Sequence, residues 1–141
     1  MSVARTVMCA GAEDTERLGR EIGRALQGGE VFALEGELGS GKTTFVRGLA
    51  RGLGFLDTVT SPTFNLVHRY LGGRLALAHF DLYRLKSPGD LELLDLDDVM
   101  EEGGVVAIEW PRLAEGLLPE RRTRRVRFDD AGSAQRRVTL V

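Results

Sequence analysis

The residues best suited to chemistry lie in one short run. Gly36, Gly41, Lys42 and Thr43 satisfy the pattern G-x-x-x-x-G-K-[ST] within GELGSGKT, residues 36–43. Glycines in such a loop let successive backbone N–H groups turn inward as an anion nest. The helix that follows adds partial positive charge at its N-terminus. Lys42 is then placed to reach the β and γ phosphates of a nucleoside triphosphate, and the Thr43 hydroxyl to ligate Mg²⁺. The expected nucleotide-binding set is Gly39, Ser40, Gly41, Lys42, Thr43 and Thr44, with ATP and Mg²⁺ as the bound species. A guanine-reading N-K-x-D is absent from the sequence, as is a D-x-x-G after Asp81, which favours ATP over GTP. Lysine usage points the same way. Of 19 basic residues only Lys42 and Lys86 are lysines. A chain so biased toward Arg keeps a lysine where a compact point charge is needed and a planar guanidinium fits badly.

A Mg-triphosphate site also needs acids, usually at the end of an apolar strand. Asp81 follows the apolar run 75–80, and Glu109 follows 105–108. Both are candidates to hold the metal with Thr43 or to position the attacking water, so the candidate catalytic set is Lys42, Asp81 and Glu109. The alternative is that one of the two acids only caps its strand. Trp110, the single tryptophan, follows Glu109 directly; it either contacts the nucleotide or packs as core. The hydroxyl-rich stretch TVTSPTFN, residues 58–65, suits a loop folding over the γ phosphate through Ser61 and Thr63. Its plainer reading is a turn around Pro62. Glu37 lies at a variable position of the loop and is expected to face solvent. His68, His79 and Cys9 lack metal-ligand spacing, so no zinc site is expected.

The elements that must position these residues follow from periodicity. Residues 3–9 read as a strand. A helix capped by Asp14 or Thr15 carries Leu18, Ile22, Ala25 and Leu26 at helical spacing and ends at Gly28-Gly29. Residues 31–34 form a purely apolar run, as in a strand buried on both faces. A helix is expected from Lys42 to Leu53, with Phe45, Val46, Leu49, Ala50 and Leu53 inward. Residues 64–71 and 74–82 read as strands joined at Gly72-Gly73. Pro88 starts a short helix through Leu94, and residues 105–108 form a second central strand. Residues 123–128 can pair with 137–141 across a turn at 129–133. Strands and helices alternate, with hairpins at the margins. The expected fold class is α/β, a P-loop three-layer sandwich with a mainly parallel central sheet and antiparallel marginal strands, built as one domain over residues 1–141.

Composition sets the bounds. Hydrophobic residues make up 43% and charged residues 28% of 141 residues, ordinary for a globular chain. No apolar run is long enough to span a bilayer, so no membrane partner is expected. A single cysteine, Cys9, forms no internal disulfide, which fits a reducing cytoplasm. The net charge of −2 lacks the basic balance of an autonomous nucleic-acid binder. Charge is nonetheless uneven: residues 92–102 are acidic, and the tail from Arg121 to Arg137 is basic. Each is either a solvated face or a docking surface.

Taken together, GELGSGKTTFVRGLARGLG (36–54), SPTFNLVHRY (61–70), HFDLYRL (79–85), LELLDLDD (91–98) and AIEWPRL (107–113) resemble the TsaE (YjeE) family in order along nearly the whole chain. The glycine-rich loop alone is unspecific; SPTF, HFDLYR and IEWP in succession are characteristic. The resemblance implies a P-loop ATPase of the bacterial tRNA threonylcarbamoyladenosine pathway. It implies a switch-like loop around Ser61–Phe64, and another switch-like segment around His79–Arg84. It places Thr43, Asp81 and Glu109 near Mg²⁺, with Trp110 beside the nucleotide. It also implies the partners TsaD and TsaB, which modify adenosine 37 of tRNAs reading codons that begin with A. ATP hydrolysis would reset that pair, and tRNA would be met only through it. The remaining enzyme alternative is a small-molecule kinase, for which a chain this short leaves little room. A nucleotide-binding regulatory subunit with negligible turnover is the other.

Overall fold

A computed structural model describes residues 4–56 and 66–141. The expected switch loop, with Ser61 and Thr63, lies outside the described residues. Seven strands form one sheet: β1 (Arg5–Cys9), β2 (Val31–Gly36), β3 (Val67–Tyr70), β4 (Leu77–Asp81), β5 (Val105–Glu109), β6 (Thr123–Gly132) and β7 (Gln135–Leu140). Their order is β1-β7-β6-β2-β5-β4-β3. The central pairings, β6 with β2, β2 with β5 and β5 with β4, are parallel. The marginal ones, β1 with β7, β7 with β6 and β4 with β3, are antiparallel. This is the mixed α/β arrangement expected, with a parallel centre.

Alternation along the central strands divides the core in two. Phe32, Leu34, Val105 and Ala107 face one cluster, into which helices α1 (Ala12–Ala25) and α2 (Lys42–Gly52) send Leu18, Phe45, Val46 and Leu49. Val31, Val106 and Ile108 face the other, with Leu91, Leu96, Val99 and Met100 from α3 (Pro88–Glu92) and α4 (Leu96–Glu101). Burying both faces of β2 and β5 is what makes their sequences continuously apolar. All five residues expected on the inner side of α2, from Phe45 to Leu53, are buried.

α1 and α2 meet backbone to backbone. A Cβ added at Gly19 would stand 2.4 Å from the Phe45 carbonyl oxygen, and one at Gly23 would stand 2.6 Å from that of Leu49. From the other side, Gly48 and Gly52 would meet the Glu16 and Arg20 carbonyls at 2.2 and 2.4 Å. Four glycines thus permit a contact that no side chain could enter. The far end of α1 is closed by Arg74, whose guanidinium donates to the carbonyls of Leu26 at 2.7 Å and Gly23 at 2.9 Å.

Three local expectations need correction, and one helix was not foreseen. α1 starts behind Gly11, without a side-chain cap. Asp14 sits one turn in, and its carboxylate accepts from the Ala10 N–H at 2.9 Å. Thr15 is buried, and its hydroxyl donates back to the Gly11 carbonyl at 3.4 Å. Ala25, expected on the apolar stripe, is exposed, because Gly23 occupies the contact line instead. The acidic stretch after α3 is helical: α4 buries Leu96, Val99 and Met100 while its acids face outward. The β6–β7 turn lies at Ser133-Ala134, both at positive φ, so β6 continues to Gly132 rather than ending at 128.

Candidate functional site

The loop from β2 to α2 turns on two glycines. Gly39 and Gly41 take φ of 76° and 109°, a region side chains rarely adopt. A Cβ at Gly36 would meet Ser40 Oγ at 2.7 Å and the Phe128 carbonyl at 2.9 Å, so glycine is also needed where the loop leaves the strand. Ser40 is buried, and among the described residues its Oγ has no hydrogen-bond partner. Glu37 is exposed, as expected.

Lys42, the first residue of α2, is 3% exposed. Its ammonium donates to the Gly36 carbonyl, lies 3.5 Å from that of Glu37, and sits 3.6 Å from the centroid of the Trp110 ring. Burial pushes the Lys42 ammonium below its ordinary pKa, and the carboxylates of Glu109 and Asp81 oppose that shift. The cation is therefore buried between loop carbonyls and an aromatic ring.

β4 and β5 run parallel with Asp81 level with Glu109. Both side chains lie on the sheet face covered by α2, because Leu77, Val105 and Ala107 on that side pack in the α1–α2 cluster. Glu109 is 4% exposed; its Oε2 accepts from the Thr43 hydroxyl at 3.0 Å and contacts His79 Nε2 at 2.5 Å. Asp81 accepts from the Tyr83 N–H at 3.1 Å. Burial raises the Asp81 carboxyl above its ordinary range; the Tyr83 N–H lowers it, Glu109 raises it further, and His79 and Lys42 lower it. At the end of β5 the chain turns sharply. Trp110 takes φ of 57°, rare for a bulky residue, and Pro111 begins a 3₁₀ helix, Pro111–Leu117. The turn brings the indole over Lys42, with the Tyr83 ring 4.9 Å away.

Gly39, Ser40, Gly41, Lys42, Thr43, Thr44, Asp81, Glu109 and Trp110 all line one cleft of about 280 Å³. Every site residue expected from the sequence and described in the structure is therefore brought together. The cleft also takes Gly11, Ala12 and Thr15 from the start of α1, Tyr83, and Ala134 and Arg136 from the β6–β7 hairpin. Sequence reasoning missed these. Tyr83 had a signal in its nearness to Asp81, whereas Arg136 had none, since only the hairpin's position on the sheet brings its guanidinium to the Gly39 carbonyl at 3.3 Å. Other arginines of the tail pair within the chain: Arg125 with Glu115, and Arg127 with Asp129.

Among the described residues, no three His, Cys, Asp or Glu side chains are grouped to hold a metal ion by themselves. A hard cation such as Mg²⁺ is commonly held by one or two carboxylates together with substrate phosphates and water. Thr43, Asp81 and Glu109 supply such a partial oxygen set. Among the described residues, no helix is long and apolar enough to cross a membrane.

A parallel-centred sheet, with a glycine-rich loop at the end of its middle strand and two acids at neighbouring strand ends, defines a protein of mixed α/β class. Comparison with known proteins narrows this. Residues 9–138 match the family model described as "Threonylcarbamoyl adenosine biosynthesis protein TsaE". The chain belongs to the TsaE family. It is 39% identical over 129 residues to the tRNA threonylcarbamoyladenosine biosynthesis protein TsaE of Bacillus subtilis, covering 92% of this chain and 80% of that one. It is 45% identical over 131 residues to the protein of the same name in Streptomyces coelicolor, covering 88% and 87%. The crystal structure of Bacillus subtilis YdiB superposes with a TM-score of 0.84 at 31% identity, covering 99% of this chain and 86% of that one.

Proposed function

We propose that this chain is a P-loop ATPase subunit of tRNA threonylcarbamoyladenosine biosynthesis, binding Mg-ATP in the cleft and hydrolysing it to drive turnover of a TsaD–TsaB complex. The observation that carries the reading is the convergence of Lys42, Thr43, Asp81 and Glu109 on one cleft, with Thr43 3.0 Å from Glu109. Backbone N–H groups of residues 39–44 cradle the phosphates. Lys42 leaves the Gly36 carbonyl for the β and γ oxygens, and its charge is worth most as negative charge develops in the transition state. Thr43, Asp81 and Glu109 would hold Mg²⁺ directly or through water. When bound, the ion would neutralise negative charge on the phosphates. Glu109 or Asp81 orients the attacking water. Trp110 covers the cleft beside Lys42 and shields the phosphates from solvent. Family membership supports the pathway; the partners TsaD and TsaB and the indirect link to tRNA rest on the sequence resemblance, and the cytoplasmic setting on the single cysteine.

The test is Lys42→Ala and Lys42→Arg in a reconstituted threonylcarbamoylation of tRNA with TsaD, TsaB and a carbamoyl-adenylate synthase. Both variants are expected to lose ATP turnover and to support at most one round of modification per complex. Multiple rounds at the wild-type rate by Lys42→Ala would make hydrolysis dispensable, and the chain a regulatory nucleotide binder.

A further inference from the structure

His79 is the most deeply buried titratable group near the cleft, with no exposed surface at all, and the hydrolysis scheme gives it no part. Its place in the sheet explains what it can do. It lies on β4 two residues before Asp81, on the same face, directly across from Ala107. A methyl opposite leaves the imidazole room to extend along the sheet to the next residue on that face of β5, Glu109. Nε2 reaches Glu109 Oε2 at 2.5 Å. Nδ1 has no hydrogen-bond partner among the described residues, so Glu109 is the ring's one polar contact there. A carboxylate accepts and does not donate, which puts the hydrogen on Nε2.

Resting on the ATPase reading, we propose that His79 is the positioning residue for Glu109. Two donors meet on Oε2, the Thr43 hydroxyl and the His79 ring, while none of the described residues hydrogen-bonds Oε1. The Thr43 hydroxyl is the donor that must turn away when it serves Mg²⁺. His79 then remains as the fixed contact. It locks the carboxylate rotamer from the core side and leaves Oε1 to the phosphate end of the cleft. A buried ring whose rotamer is set by packing is better suited to this than a loop residue, because outer hydrogen bonds fix the orientation of groups that act on a metal or water. The same contact accounts for the placement of a polar ring in an apolar layer, since a buried imidazole without a partner is costly.

Two variants and one spectrum test this. His79→Leu removes the donor, and His79→Gln carries an amide N–H toward the same oxygen. His79→Leu is expected to lower kcat for ATP hydrolysis, with partners present, by about 10–100-fold. The Kd for Mg-ATP by calorimetry is expected to stay within about threefold, because the loss falls on the chemical step. His79→Gln is expected to recover most of the rate. Wild-type kcat in His79→Leu, or equal losses in both variants, would overturn the assignment. The contact is read independently of folding in variants by long-range proton–nitrogen NMR of the nucleotide-free wild type. One of the two histidines should show an exchange-protected Nε2–H that shifts in Glu109→Gln. A His79 ring protonated on Nδ1 alone, or an Nε2–H unmoved by Glu109→Gln, would overturn it. A wild type that binds no ATP sinks the ATPase reading, while the spectrum still decides the His79–Glu109 contact.

Discussion

Replacing Gly48 with alanine sets two effects of opposite sign against each other. Gly48 lies inside α2, where helix propensity alone favours alanine by about 1 kcal/mol. Packing opposes it. The new Cβ would stand 2.2 Å from the Glu16 carbonyl oxygen and 2.9 Å from both the Arg20 nitrogen and the Gly19 Cα. Contacts of a real Cβ essentially never fall below 3.0 Å, so α1 and α2 must part by about 0.8 Å. The obstructing atoms are backbone and cannot rotate aside. A gap of that size forfeits about a quarter to a half of the dispersion energy of each contact along the interface. Overpacking of this kind costs about 1–3 kcal/mol, and a clash with backbone belongs at or above the upper end. The net expectation is a loss of about 2 kcal/mol or more, or a fall in Tm of at least about 6 °C for a chain of this size. The first turn of α2 carries Lys42 and Thr43, so Mg-ATP affinity should fall as well. Thermal and urea unfolding followed by circular dichroism read the first effect, and calorimetry the second. A variant melting at or above the wild-type temperature would show that propensity wins and that the close helix contact is not what the geometry says.

Trp110, the single tryptophan, lies over the Lys42 ammonium, and nucleotide binding should draw that cation away; saturating Mg-ATP should change its emission, and an unchanged spectrum would remove Trp110 from the site. Glu30 accepts from the N–H groups of Gln27 at 2.8 Å and Gly28 at 2.7 Å. Burial raises its carboxyl, but these bonds and Arg124 outweigh that, leaving it below the ordinary 4.5. A depressed pKa contributes stability above the unfolded value that is lost as pH falls through the folded one, so Glu30→Gln should cost about 1–2 kcal/mol at neutral pH and progressively less in acid. A urea midpoint difference that does not shrink at all on acidification would contradict this. Arg74→Met keeps the stem but leaves the carbonyls of Gly23 and Leu26 without their donor, at a cost of about 1.5–3 kcal/mol, and faster amide exchange at the end of α1 should accompany it.

Much of the fold was legible because one physical signal dominated each central element. The run 31–34 and the run 105–108 could only be strands buried on both faces, and the spacing of Phe45, Val46 and Leu49 could only be one side of a helix. The glycine-rich loop was legible because its pattern is local: glycine, lysine and threonine fall within eight residues, 36–43. What stayed hidden was tertiary. Acids in α4 masked Leu96, Val99 and Met100, whose burial depends on the second core cluster. Glycines at 19, 23, 48 and 52 read as weak helix positions until the two helices are seen to touch. The motif that contains His79 gave no sign of its contact with Glu109, because that partner is thirty residues away and reached only through strand register. Gly11 and Arg136 enter the cleft from elements at either end of the chain, which no spacing rule connects.

The pairing of β1 with β7, Arg5 level with Leu140, has a consequence for the order of assembly during synthesis. Among the described strands, the first in chain order has its neighbour in the last. β1 must therefore wait, unpaired, until the other described strands have been made. α1, close behind it, can already lie against α2 once about fifty residues have emerged, because that contact is local in sequence. The glycine-rich loop, between β2 and α2, is held in place by early partners. The β6–β7 hairpin, which brings Arg136 to the loop, comes after the other described strands. A nascent chain should accordingly acquire a compact helix pair first and a complete cleft last, and the exposed edge of β1 is the segment most in need of protection in the interval.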